Sequence, residues 1–304
     1  MNYSFIRYLE SKQTVDDRAL NQRVWQAFWE SLPGSSRQFP LEMVELGAGT
    51  GAMAKRIVDS GKISTLIYTA IDDQPENIEF LKTQSAEWLE KRPFIHLFAE
   101  VNTAEKFVEE KQGEQYFDAI LAHAFIDLVD LDSFLPQLLE LLPVGGVGYF
   151  TINFDGDTIF QPTHPADSAI LAAYHGSMVN PHSGRRLLHK LTELEVEILE
   201  AGSSDWVIYP SDKKYPADEG YFLHHILSFF EQSLSGNDAV DQAEFSQWLE
   251  ARHAQVEAGE LIYIAHQLDV AFKKTFFEEG PMPSEDFMAE RDQSEYQERD
   301  DLFD

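Results

Sequence analysis

Across residues 41–154 the chain alternates short apolar runs with amphipathic helical patterns, and this alternation most limits the folds open to it. The runs are "LEMVEL", "TLIYTAI", "FIHLFA", "FDAILA" and "VGYFTINF", rich in Val, Ile, Leu and Phe. Strands that are apolar almost throughout belong to parallel sheets covered on both faces. Helical patterns at 52–60, 75–90, 103–111 and 131–142 supply the crossovers that parallel neighbours require. The expectation is an α/β protein built from successive βα repeats.

The flanks read differently. Residues 1–39 show apolar positions at three- and four-residue spacing, ending in the turn-rich "SLPGSSRQFP", and are expected to form an N-terminal helical lid. The main domain is expected over 40–277. Two further strands are placed in "EVEILEAGSSDWVIYP" and "ELIYIAHQLDVAF", with a helical insertion at about 212–258 between them. Insertions of this kind tend to carry function, so this one is expected over the site. "TINFDGDTIFQPTHP" reads as a long polar-aromatic loop after the fifth strand. Residues 278–304, acidic and poor in apolar side chains, are expected to form a disordered tail.

Composition excludes several functions. The absence of cysteine removes disulfides, thiolate metal sites and a cysteine nucleophile. His164, Asp155 and Asp157 lack a second suitably spaced His, so no metal site is assigned. The longest apolar runs fall short of a membrane span, and the N-terminus lacks signal-peptide character. A cytoplasmic protein without a membrane partner is expected. The net charge of −30 opposes polyphosphate binding, so the expected partner is a small molecule and not a nucleic acid.

The turn "VELGAGTGA" at the end of the first strand fits two templates. Gly47-x-Gly49-x-x-Ala52 matches a dinucleotide fingerprint, whereas Glu45-x-Gly47-x-Gly49-x-Gly51 suits a ligand with a cationic group. A pyrophosphate wants helix amides and no nearby carboxylate, which speaks against the first template. Asp72, in "YTAIDDQ", lies about 20 residues further on, where a carboxylate holds ribose hydroxyls in either case.

With "YTAIDDQPENIEFLK", "FDAILAHAFIDLV" and "LLPVGGVGYFTINF", this turn resembles the ordered motifs of class I S-adenosylmethionine-dependent methyltransferases over roughly residues 41–154. The resemblance implies a seven-stranded, mostly parallel sheet of order 3-2-1-4-5-7-6, with helices on both faces and the last strand antiparallel. It implies S-adenosyl-L-methionine as cofactor. Gly47, Gly49, Gly51 and Glu45 would hold its aminocarboxypropyl group, Asp72 the ribose, and Asn102 the adenine amine in place of the family's usual Asp. His123 would lie near the methionine moiety.

Methyl transfer is an in-line displacement that depends mainly on alignment and exclusion of water, so no fixed catalytic constellation is required. His123 and Asn153 are the catalytic candidates, at the ends of strands four and five. Tyr8, Arg18, Phe154, His164 and Trp206 are the candidates for substrate contact. Methyl transfer to a small molecule is the expected activity. A non-catalytic binder of the same cofactor and an NAD(P)-dependent oxidoreductase are the alternatives.

Overall fold

The computed structural model describes residues 4–114 and 116–276. Three short helices come first: α1 (Phe5–Ser11), α2 (Gln13–Ala19) and α3 (Gln22–Ser31). The βα repeats then follow as β1 (Leu41–Leu46), α4 (Ala52–Asp59), β2 (Leu66–Asp72), α5 (Pro75–Leu89), β3 (Ile95–Val101), α6 (Ala104–Lys111), β4 (Ala119–His123), α7 (Leu131–Glu140) and β5 (Val147–Gln161). The chain continues through α8 (Asp167–Ser177), α9 (Ser183–Leu191), β6 (Val196–Ser203), β7 (Trp206–Ile208), α10 (Glu219–Leu234), α11 (Gln242–Glu257) and β8 (Ile262–Lys274).

The sheet runs β3-β2-β1-β4-β5-β8-β6, with β8 antiparallel to both neighbours. For the seven long strands this is the expected order 3-2-1-4-5-7-6, β8 being the seventh. Each central strand is sandwiched. In β4, Ala119 and Leu121 face one apolar layer with α3, α4 and α10, while Ile120 and Ala122 face the other with α6, α7 and α9. The period-2 alternation of side chains thus separates the two layers, and the burial of every β4 residue explains its unbroken apolar sequence.

Two expectations need correction. "EVEILEAGSSDWVIYP" forms two strands, β6 and β7, both paired with β8. Between them Asp205 accepts the Gln267 N–H (3.2 Å) and bonds the His266 ring (2.8 Å), so a side chain takes the place of the ladder carbonyl. The stretch expected as a loop after the fifth strand is instead strand as far as Gln161, because Thr158–Gln161 pair with Ile262–Ala265. Asp155-Gly156-Asp157 reads as a turn, yet falls within a register shift between β5 and β8, a bulge that bends the strand without ending it. The acidic stretch 278–304 lies outside the described residues. Among those described, no helix is long and apolar enough to cross a membrane.

Candidate active site

A cavity of about 640 Å³ opens at the carboxyl ends of β1, β2, β3 and β4, the edge at which open α/β sheets bind ligands. Its volume falls within the range of about 300–1,000 Å³ usual for small-molecule sites. Glu45, Gly47, Gly49, Asp72, Asn102 and His123 all line it. Gly51 lies just behind, capping α4 at φ +85°.

The glycine turn is shaped by its neighbours. A Cβ on Gly47, at φ +68°, would lie 2.4 Å from Phe125, and one on Gly51 would lie 2.2 Å from Leu81. Both positions need a left-handed backbone and no side chain. Phe125 reaches Gly47 from the turn after β4, where Ala124 takes φ +51°, an uncommon value for a residue with a Cβ.

Asp72 builds the turn before it can bind anything. Its Oδ2 accepts the Gly49 N–H (2.8 Å), and its Oδ1 accepts from the Gln74 N–H and Asn77 Nδ2 (both 3.0 Å). A carboxylate offers about four acceptor positions, so one remains for a ligand. Asn102 is oriented by charge: its Nδ2 donates to Glu100 (3.1 Å) and Glu110 (3.2 Å). Because carboxylates only accept, the amide cannot flip, and its carbonyl oxygen is left available as an acceptor.

Glu45 is buried beneath the turn and accepts from the Tyr68 hydroxyl (2.7 Å). Burial pushes its carboxyl up to about 8, against the Tyr68 hydrogen bond and the Arg56 charge. His123 is held at both ring nitrogens: Nε2 lies 3.0 Å from Asp16 and Nδ1 lies 2.8 Å from the Thr151 hydroxyl. Burial lowers its pKa to about 4, despite Asp16. The neutral ring therefore donates through Nε2–H to Asp16 and accepts at Nδ1 from Thr151, with no free nitrogen for a substrate proton.

Asp16 was not foreseen from the sequence. Fully buried on α2, it also accepts the Trp206 indole N–H (2.9 Å) and pairs with Lys12 Nζ (3.3 Å). Burial opposes its charge, but Lys12 and His123 outweigh that and hold the carboxyl below its usual range. "TVDDR" contains two adjacent aspartates, and only the docking of α2 distinguishes the buried Asp16 from the exposed Asp17. Lys12 was missed for the same reason, whereas Thr151 was missed although it stands opposite His123 in the β4–β5 register.

The remaining candidates lie outside the cavity lining. Tyr8 faces α10, stacked on His225 (4.3 Å) and Phe222 (5.6 Å), while Phe5, Ile6, Leu9 and Lys12 present the cavity side of the helical segment. Arg18 makes a two-pronged pair with the buried Glu219 (2.6 and 3.0 Å). Asn153 donates to the Leu268 carbonyl (2.7 Å), and Phe154 packs against His175 at 5.5 Å. His164 accepts from Ala166 N–H (3.2 Å) in the turn before α8. Trp206 meets the site through Asp16 and through Lys12, whose Nζ lies 5.7 Å from its ring centre. Neither α10 nor α11 contributes a lining residue, so the helical insertion supports α1 from behind. No group of three or more His, Asp or Glu suited to a metal occurs among the described residues.

No protein-family model and no curated protein sequence matches the chain. Similar solved structures include the YcgJ protein of Bacillus subtilis, at 13% identity and TM-score 0.48 over 84% of this chain and 99% of that one. The plantazolicin methyltransferase BpumL in complex with SAH shows 16% identity and TM-score 0.44 over 89% of this chain and 88% of that one. A geranyl diphosphate C-methyltransferase from Streptomyces coelicolor A3(2) shows 13% identity and TM-score 0.43 over 83% and 77%.

Proposed function

We propose that this protein is an S-adenosylmethionine-dependent methyltransferase acting on a small molecule. The observation that carries the reading is the convergence of Glu45, Gly47, Gly49, Asp72, Asn102 and His123 on one cavity. The donor and acceptor set fits an adenosyl amino acid. The Asn102 carbonyl suits the adenine amine, the open acceptor position of Asp72 suits a ribose hydroxyl, and the Glu45 carboxyl suits an ammonium. The Gly49 N–H, one of the turn amides a pyrophosphate would use, is already taken by Asp72, which disfavours the NAD(P) alternative.

The cofactor, when bound, supplies a methyl carbon already activated by a sulfonium. The chain's residues hold and orient: the glycine turn and Asp72 fix one end, Phe125 closes on Gly47, and Phe5, Ile6 and Leu9 cover the cavity and exclude water. His123 acts by position, since its neutral ring fastens α2 to the end of β4.

A second reading, a non-catalytic binder of the same ligand, is favoured by one observation: both His123 nitrogens are engaged. Incubation with methyl-tritiated S-adenosylmethionine and a small-molecule extract separates the two. Label transfer supports the enzyme, and binding without transfer supports the binder. Neither binding nor transfer would overturn both.

A further inference from the structure

Among the described residues that line the cavity Lys12 is the one cation, and the lining also carries Glu45, Asp72, Asp73, Glu76 and Glu105. It stands between α1 and α2 with its side chain only 9% exposed. Its single ion-pair partner among the described residues is Asp16, at 3.3 Å. An ammonium carries three donors. Asp16 can satisfy one of them, and is itself supported by the His123 and Trp206 N–H groups. A nearly buried ammonium with donors left over, beside a cavity, calls for an acceptor from outside the protein.

We propose that Lys12 is the anion-recognising residue of this cavity and that the group it takes is a carboxylate. This rests on the proposed function and adds to it the charge of the ligand group at the lid. A dianionic phosphate is disfavoured, since one ammonium would meet it among five carboxyl groups and no Arg fork is present among the described lining residues. A monoanion adds the smaller charge to these carboxyl groups. The carboxylate has two sources: the amino-acid end of the adenosyl cofactor, or an acceptor with an apolar body lying against Phe5, Ile6, Leu9 and Phe125. Glu45 in the same lining favours the first, because an amino-acid end presents an ammonium and a carboxylate together.

The test is calorimetric, on the full chain and on its Lys12→Met and Lys12→Arg variants. The probes are S-adenosylhomocysteine, its aminopropyl analogue that lacks only the carboxylate, and, on the S-adenosylhomocysteine-loaded protein, octanoate against octanamide. If the cofactor supplies the carboxylate, Lys12→Met weakens S-adenosylhomocysteine at least tenfold, leaves the analogue unchanged, and Lys12→Arg restores most of the loss. If the acceptor supplies it, S-adenosylhomocysteine binds all three proteins alike, and octanoate binds at least tenfold tighter than octanamide only where the cation is kept. The proposal is overturned if S-adenosylhomocysteine and its analogue bind the wild type equally and octanoate shows no advantage. That wild-type comparison decides the matter even if Lys12→Met does not fold. Failure of the wild type to bind any adenosyl ligand would overturn the proposed function instead, and the octanoate pair on the free protein would then test Lys12 alone.

Discussion

The two sides of the cavity are built on different principles. On the sheet side, the glycine turn, Asp72 and Asn102 each lie at the end of a parallel strand, so the βα repeat itself sets their spacing. On the lid side, α1 and α2 are held by bonds from Asp16 to His123 and Trp206, residues 107 and 190 positions away. The sheet side is a local consequence of sequence. The lid side is a docking event that depends on a few buried polar contacts, and the two should fail separately.

Asp16→Ala should have the largest effect. It removes the acceptor shared by Lys12, His123 and Trp206, and breaking a buried polar pair costs about 3–5 kcal/mol. Urea unfolding followed by tryptophan fluorescence measures it. Asp16→Asn keeps one acceptor oxygen and should lose visibly less; equal losses would mean that the charge, not the hydrogen bonding, holds the lid.

Gly47→Val attacks the sheet side. The left-handed backbone costs about 1–2 kcal/mol and the clash with Phe125 about 1–3 more. Gly61→Ala is the control, since Gly61 has φ +65° but open space around it. Only the backbone cost should appear there in thermal melts, and an equal loss at both positions would show that Phe125 does not shape the turn.

Asn102→Leu should leave the fold intact and weaken S-adenosylhomocysteine by about 1–2 kcal/mol, roughly tenfold, the worth of one hydrogen bond. Asn102→Asp should bind no better than Asn102→Leu, because it sets a third carboxylate against Glu100 and Glu110. Tight binding by the Asp variant would show that these two glutamates do not orient the amide.

A pH slope tests Glu45. Glu45, with its carboxyl near 8, is largely protonated at neutral pH in the free protein. A ligand ammonium favours the ionised form, so binding releases a proton below about pH 8. Affinity for S-adenosylhomocysteine should rise as pH climbs from 6 to 8, by at most about tenfold per unit, and Glu45→Gln should flatten the rise. A flat wild-type profile would mean that Glu45 does not face the ammonium.

The same contrast explains what could be read from the sequence. The βα repeats were legible because parallel strands are apolar throughout, whereas the strand order and the roles of the glycines, Asp72 and Asn102 came from the resemblance of the ordered motifs to a known family. The lid was legible only as helix. Phe5, Tyr8 and Leu9 form one apolar stripe, and nothing local says that Tyr8 turns to α10 while its neighbours turn to the cavity. Arg18 looked like a ligand-binding cation until its partner Glu219, 201 residues away, was in place. Asp155-Gly156 carried turn chemistry, and the pairing of β8 overrode it. In each case a long-range partner decided the outcome.

The most direct test of the central claim is calorimetric titration of the wild type and Asn102→Leu with S-adenosylhomocysteine and with NADH. The account predicts micromolar binding of S-adenosylhomocysteine, about tenfold weaker in the variant, and no binding of NADH. NADH binding alone, or S-adenosylhomocysteine binding indifferent to Asn102, would contradict it.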